Sequence, residues 1–151
     1  MQLTDHFSFE ELIASETAAR KRIDNTPPAE LMPNLRALAE GLELVRKALG
    51  GRAIHINSGY RSLTLNKEIG GAEKSKHMHG LAADILCPQF GSPLEVCRAI
   101  VAARIATDQV IHEFGKWCHV SFPAPGAAAR GELLTIASMA TGYKTGLNPV
   151  V

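Results

Sequence analysis

The residues most able to do chemistry sit in two short segments. In Ser75-Lys76-His77-Met78-His79-Gly80-Leu81-Ala82-Ala83-Asp84-Ile85 a histidine and an aspartate lie seven positions apart, and the aspartate falls inside an apolar run. A carboxylate among Leu81, Ala82, Ile85 and Leu86 is costly to bury unless it is paired or bound to a metal. The second segment, Glu113-Phe114-Gly115-Lys116-Trp117-Cys118-His119-Val120-Ser121, holds a histidine among apolar residues that can complete a ligand set. Two histidines and one carboxylate leave a fourth position open on zinc. Three protein ligands plus water is the composition of a catalytic zinc site, whereas structural sites are closed and usually rich in cysteine. Zinc brings the pKa of a bound water to about 7, and a nearby carboxylate can then take its proton. The spacing alone is less specific than an HExxH helix.

These residues need a scaffold, and the rest of the chain reads as one. Ser8 and Glu11 form a capping box with Phe7 and Leu12 as staple, so a first helix starts at Ser8. After a turn at Asp24-Asn25-Thr26-Pro27-Pro28, Leu31, Leu35, Leu38, Leu42, Val45 and Leu49 make the apolar stripe of a second helix. Pro33 splits off its first turn and Gly50-Gly51 ends it. The stripe is core and implies no cofactor. Residues 53–57 read as a strand, 58–62 as a loop, 63–69 as a short helix and 81–86 as a second strand. Gly80 allows a sharp turn into that strand. A second capping box, Ser92-Pro93-Leu94-Glu95, opens a helix to about Arg104. Strands at 110–114 and 117–122 form a hairpin over Gly115. Residues 123–151 are rich in Ala, Gly and Thr, with 132–137 as a possible edge strand. Hairpin-linked strands without a regular βαβ alternation give an α+β class with an antiparallel sheet and flanking helices.

The motifs SGYRS at 58–62, SxHxxGxAxD at 75–84 and DQVIxEFGxWxHVS at 108–121 resemble the zinc D-Ala-D-Ala carboxypeptidase family, peptidase family M15, especially its phage and bacterial branch. The resemblance covers about residues 3–122, and SxHxxGxAxD is its most specific part. It implies the Hedgehog/DD-peptidase fold, one Zn2+ per chain held by His77, Asp84 and His119, and Arg61 in contact with the substrate carboxylate or the developing oxyanion. The implied reaction is hydrolysis of a peptide bond involving a D-amino acid in the peptidoglycan stem peptide, by a carboxypeptidase or a murein endopeptidase of endolysin type. Several members, the vancomycin-resistance dipeptidases among them, carry the base three residues before the last histidine, where this chain has Lys116. The related Hedgehog domain places its glutamate six residues before, which matches Glu113. If Gly115-Lys116-Trp117 is a three-residue loop, Glu113 lies opposite His119; a two-residue loop pairs His112 with His119 instead. Hedgehog also supplies the alternative, a zinc-containing binding module without catalysis.

Other residues near the motifs receive plainer readings. Ser75 is expected to orient a ligand, and Ser121 to do the same or serve structure. Tyr60 and Trp117 are expected as site walls or core, and His79 as a cleft-lining or solvated residue. His112 turns to the opposite face, while His55 and His6 read as exposed. Asp108 and Gln109 match the family pattern without an assigned role.

With 151 residues the whole chain fits a single catalytic domain, its core at about 3–122 and an extension at 123–151. A net charge of +1 and 5% aromatic residues argue against nucleic acid as partner, and a monomer is expected. No apolar run approaches the about 20 residues that span a bilayer, so no membrane insertion is expected. Cys87, Cys97 and Cys118 form no CxxC pair and read as reduced, buried thiols. No signal peptide is visible in MQLTDHFSFEEL. The expectation is synthesis in the cytoplasm and action on the cell wall after release, as in phage or prophage lysis.

Overall fold

The computed structural model describes residues 1–151. The elements run α1 (Phe9–Ile13), α2 (Glu16–Lys21), a 3-10 turn (Ala29–Leu31), α3 (Met32–Ala48), β1 (His55–Ser58) and α4 (Leu63–Glu68). They continue with a second 3-10 turn (Lys76–His79), β2 (Ala82–Leu86), α5 (Pro93–Ala102), β3 (Gln109–Glu113), β4 (Trp117–Ser121), β5 (Glu132–Ile136) and β6 (Tyr143–Thr145). The class is α+β. The six strands form one sheet in the order β1-β2-β4-β3-β5-β6, antiparallel at every pairing but one.

The sheet is sided, and that sidedness places the site. Leu35, Leu38, Leu42 and Val45 of α3 and Val96 and Ile100 of α5 pack in one cluster with Ala83, Ile85, Val110, Cys118 and Val120 from the strands. Alternate residues on those strands point the other way, so Asp84, His119 and Glu113 share the face away from this core. No helix is long and apolar enough to cross a membrane.

The caps follow the sequence. Ser8, Ser62 and Ser92 each accept a backbone N–H at a helix start, and Ser92 and Glu95 close the capping box reciprocally. The first helical stretch breaks in two because Ser15 caps a new helix at Glu16.

Two expectations need correction, the hairpin register and the edge strand. The hairpin loop is Phe114-Gly115-Lys116, so Glu113 pairs with Trp117 and Ile111 with His119, and neither Glu113 nor His112 faces His119 directly. Phe114 and Gly115 have φ of 59° and 69°, and the Lys116 N–H closes the turn on the Glu113 carbonyl at 2.9 Å. Two successive left-handed residues match the twist of the strands they join. The shift from the expected register is two residues, so Glu113 keeps the His119 face and His112 the opposite one.

The sheet is mostly antiparallel, as expected, with one parallel pairing. Residues 122–131 stay at one end of the sheet and pass the start of β3, so β5 runs antiparallel to β4 and therefore parallel to β3. Finally, β5 is not the edge. The hairpin continues into β6, where Thr135 and Lys144 pair, and hydrogen bonds of Thr135 to Gly146 and Asn148 add to the pairing of β5 with β3.

Candidate functional site

Asp84 and His119 are direct partners across β2 and β4, so their side chains leave the sheet side by side. His77 arrives from the 3-10 turn, whose first residue is capped by Ser75 Oγ accepting from the His77 N–H at 3.2 Å. Gly80 ends that turn at φ 70°, and a Cβ there would crowd Leu35. The turn thus drops His77 onto the sheet next to Asp84.

The three donor atoms form a small triangle. His77 Nε2 lies 3.2 Å from Asp84 Oδ1 and 3.2 Å from His119 Nδ1, and His119 Nδ1 lies 3.0 Å from Asp84 Oδ1. All three residues are buried. The His77 Nδ1–H donates to the Gly59 carbonyl at 2.7 Å, which leaves the Nε2 lone pair aimed into the triangle. Two ring nitrogens 3.2 Å apart cannot both carry a proton on the facing side. Ligand atoms on a tetrahedral zinc with bonds of about 2.0–2.1 Å stand about 3.3 Å apart, so the donor set fits zinc in both chemistry and spacing.

Charge follows from this crowding. Burial works against the Asp84 carboxylate, but the charge and hydrogen bonds of His77 and His119 outweigh it and hold the group ionised far below the usual range. Burial pushes the His77 imidazole down. For His119 burial acts in the same sense, but its hydrogen bond to Asp84 and the charges of Asp84 and Glu113 leave it raised.

Arg61 braces the site from behind. Its Nη2 donates to Asp84 Oδ2 at 3.0 Å, its Nε to Ser58 Oγ at 2.9 Å and its Nη1 to Asn66 Oδ1 at 3.3 Å. A bulge in β1 between Ile56 and Ser58 sets Ser58 beside Asp84 and brings it to the guanidinium. Gly59 has no room for a Cβ, which would collide with the Leu12 carbonyl.

Glu113 stands on the same face, diagonal to His119, with Oε1 accepting from Trp117 Nε1 at 2.7 Å. Burial raises its pKa and the Asp84 charge adds to the rise, outweighing His119, Trp117 and Arg61. Lys116 is exposed in the turn and does not border the cleft.

These groups lie in a cleft of about 1470 Å³. Ser75 and Trp117 border it, whereas Tyr60, His79 and Ser121 do not. Tyr60 is core, with its N–H on the Leu12 carbonyl. His79 is exposed, and Ser121 Oγ accepts the Gln109 N–H at 3.1 Å. His112 Nδ1–H donates to the Asn148 carbonyl, 2.8 Å away on the opposite face. All three cysteines are buried and free.

Sequence reasoning missed four contributors. Gly59 and Asn66 act through a carbonyl and a side-chain oxygen that no motif letter announces. Asp108 clamps Arg130 with two hydrogen bonds of 2.9 Å, and Tyr143 of β6 joins the cleft wall. The motif aspartate at 108 was visible; its partner in the extension was not.

The sequence model of the family described as Peptidase M15 matches residues 5–121. A zinc D-Ala-D-Ala carboxypeptidase of Streptomyces albus G is 48% identical over 44 residues, 29% of this chain. The matched stretch spans 17% of that relative's length.

Proposed function

The chain belongs to the peptidase M15 family, and from that premise we propose that it is a zinc-dependent hydrolase of peptide bonds involving D-amino acids in bacterial peptidoglycan. The observation that carries this reading is the convergence of three metal-type donor atoms beside a carboxylate of raised pKa on one face of the sheet. The named activity of the Streptomyces relative supports the substrate class.

His77 Nε2, Asp84 Oδ1 and His119 Nδ1 would hold the zinc, leaving room for water. When bound, zinc supplies a lowered water pKa and polarisation of the scissile carbonyl. Glu113, its pKa raised by burial, takes one proton from the attacking water and returns it to the leaving amine as the C–N bond breaks. The Trp117 indole fixes one Glu113 oxygen and leaves the other for the water. Arg61 holds Asp84 in place and keeps a positive charge at the cleft wall, favouring a substrate carboxylate or a developing oxyanion. Ser75 and Gly59 keep His77 in its ligating orientation.

The test is a digest of purified peptidoglycan, read by mass spectrometry with and without a chelator. Release of D-Ala or of cleaved stem peptides that stops on chelation and returns with zinc is expected. Binding of peptidoglycan without any product would overturn the reading in favour of a recognition module.

A further inference from the structure

Eight large apolar side chains of this chain are substantially exposed, and three of them, Ile69, Met139 and Tyr143, border the same cleft. Exposed apolar residues scattered singly are ordinary, but a set gathered around a concave site marks a surface that something covers. Ile69 follows α4 on one wall and is 42% exposed. Met139 at 76% and Tyr143 at 54% stand on the β5–β6 hairpin, whose Leu134 also borders the cleft.

The hairpin is built to hold those two side chains in place. At its tip Thr141 N–H donates to Ser138 Oγ at 3.2 Å, the two hydroxyls lie 3.2 Å apart, and Gly142 N–H reaches the Ser138 carbonyl at 3.1 Å. At its base Thr135 Oγ1 donates to the Gly146 carbonyl at 2.7 Å and accepts the Asn148 N–H at 2.9 Å. β5 pairs with β3 from Gln109 to Glu113, so the hairpin is fixed in register with the strand that carries the proposed base. Its start is anchored by the Asp108–Arg130 clamp and by Glu132 N–H on the Asp108 carbonyl at 3.0 Å. An ordered hairpin presents apolar groups without the entropy cost of fixing a loose loop on binding.

We infer that the β5–β6 hairpin, which lies outside the family-matched residues 5–121, is a substrate-gripping wall, with Met139 and Tyr143 contacting stem-peptide residues beyond the cleaved bond. This rests on the peptidoglycan reading above. The size of the cleft suits such an occupant: small-molecule pockets run to about 300–1000 Å³, and this one is larger. Tyr143 brings an aromatic face to the cleft. Contacts of this kind act on binding rather than on the proton transfers, so they belong to specificity.

The experiment measures kcat and KM on a soluble stem pentapeptide prepared from peptidoglycan, for the zinc-loaded wild type, Met139→Ala, Tyr143→Ala, the double variant and Tyr143→Phe. The double variant should raise KM by about tenfold or more, the scale of losing buried apolar contact, with kcat within about twofold. Tyr143→Phe should keep the wild-type KM, because the ring does the gripping. Zinc content and melting temperature should not move, since both side chains are exposed. A double variant with wild-type KM, or one that loses kcat alone, overturns the inference while leaving the peptidase reading intact. A wild type that yields no product from peptidoglycan or the pentapeptide overturns the underlying reading instead.

Discussion

Arg61 and Asp84 divide the aspartate between two tasks: Nη2 of Arg61 donates to Oδ2 at 3.0 Å, while Oδ1 faces both histidines. The guanidinium is itself held by Ser58 and Asn66, so the carboxylate plane is fixed from the side away from the donor triangle. A carboxylate positioned in this way loses little freedom on binding a cation. Outer partners of this sort set ligand geometry as firmly as the ligands themselves.

Removing that brace should therefore weaken the metal before it affects anything else. Arg61→Ala is expected to reduce zinc affinity by about 10–100-fold, measured by competition with a chelating dye. Arg61→Lys should rescue little, because an ammonium cannot reach Ser58, Asn66 and Asp84 in one planar fork. Wild-type zinc affinity in both variants would show that Asp84 needs no brace.

Direct removal of a ligand should be more severe. The protein should carry one zinc per chain, and His77→Ala, Asp84→Ala and His119→Ala should each lose most of it. Full retention by any two would refute the donor set. Chelation should lower the melting temperature yet leave the far-ultraviolet circular dichroism largely intact, because the α3 and α5 core lies on the other face of the sheet. Unfolding at room temperature on chelation would mark the metal as structural.

The class of fold and the nearness of His77 to Asp84 were legible because they rest on short-range signals: both residues within one motif, leucine spacing in α3, serine caps. The hairpin register was not. It turns on Phe114 entering the left-handed region, which bulky residues rarely adopt and no pattern rule anticipates. The role of residues 123–151 was hidden for a different reason. Their order depends on pairing with β3 and on Asp108 meeting Arg130, contacts set by tertiary packing. Gly59 belongs to the same class, since its carbonyl serves His77 only once the chain has folded.

The Asp108–Arg130 clamp makes a pH-dependent prediction. The Arg130 hydrogen bonds hold the Asp108 carboxyl below its ordinary value, so the folded state favours the ionised form. That stabilisation is present above the unfolded carboxyl's pKa of about 3.9 and is lost as pH falls through the lower folded value. Asp108→Asn should therefore melt earlier than wild type at neutral pH, and the gap should narrow below about pH 4. Arg130 is half exposed, so the loss is expected near 1 kcal/mol, or about 2–4 °C in a chain of this size. A gap that is constant down to strongly acid pH would dismiss the clamp as a source of stability.

Glu113 carries the prediction on which the chemistry depends. Glu113→Gln keeps the size of the side chain and its hydrogen bond from Trp117 Nε1, but the amide cannot accept the water's proton. Turnover should fall by about two to four orders of magnitude with zinc content unchanged, because the residue stands outside the donor triangle. Substrate binding should move much less, since the lost interaction belongs to the transition state. Trp117→Phe should act in the same direction and more weakly: it frees Oε1 and removes the contact that opposes the raised pKa of the acid. The kcat profile of Trp117→Phe should accordingly shift its acidic limb to higher pH. His112→Ala is the opposing control, because its ring faces Asn148 on the far side of the sheet and has no route to the cleft. Loss of activity in His112→Ala together with near-normal turnover in Glu113→Gln would remove Glu113 from the role of base and call for a different proton acceptor.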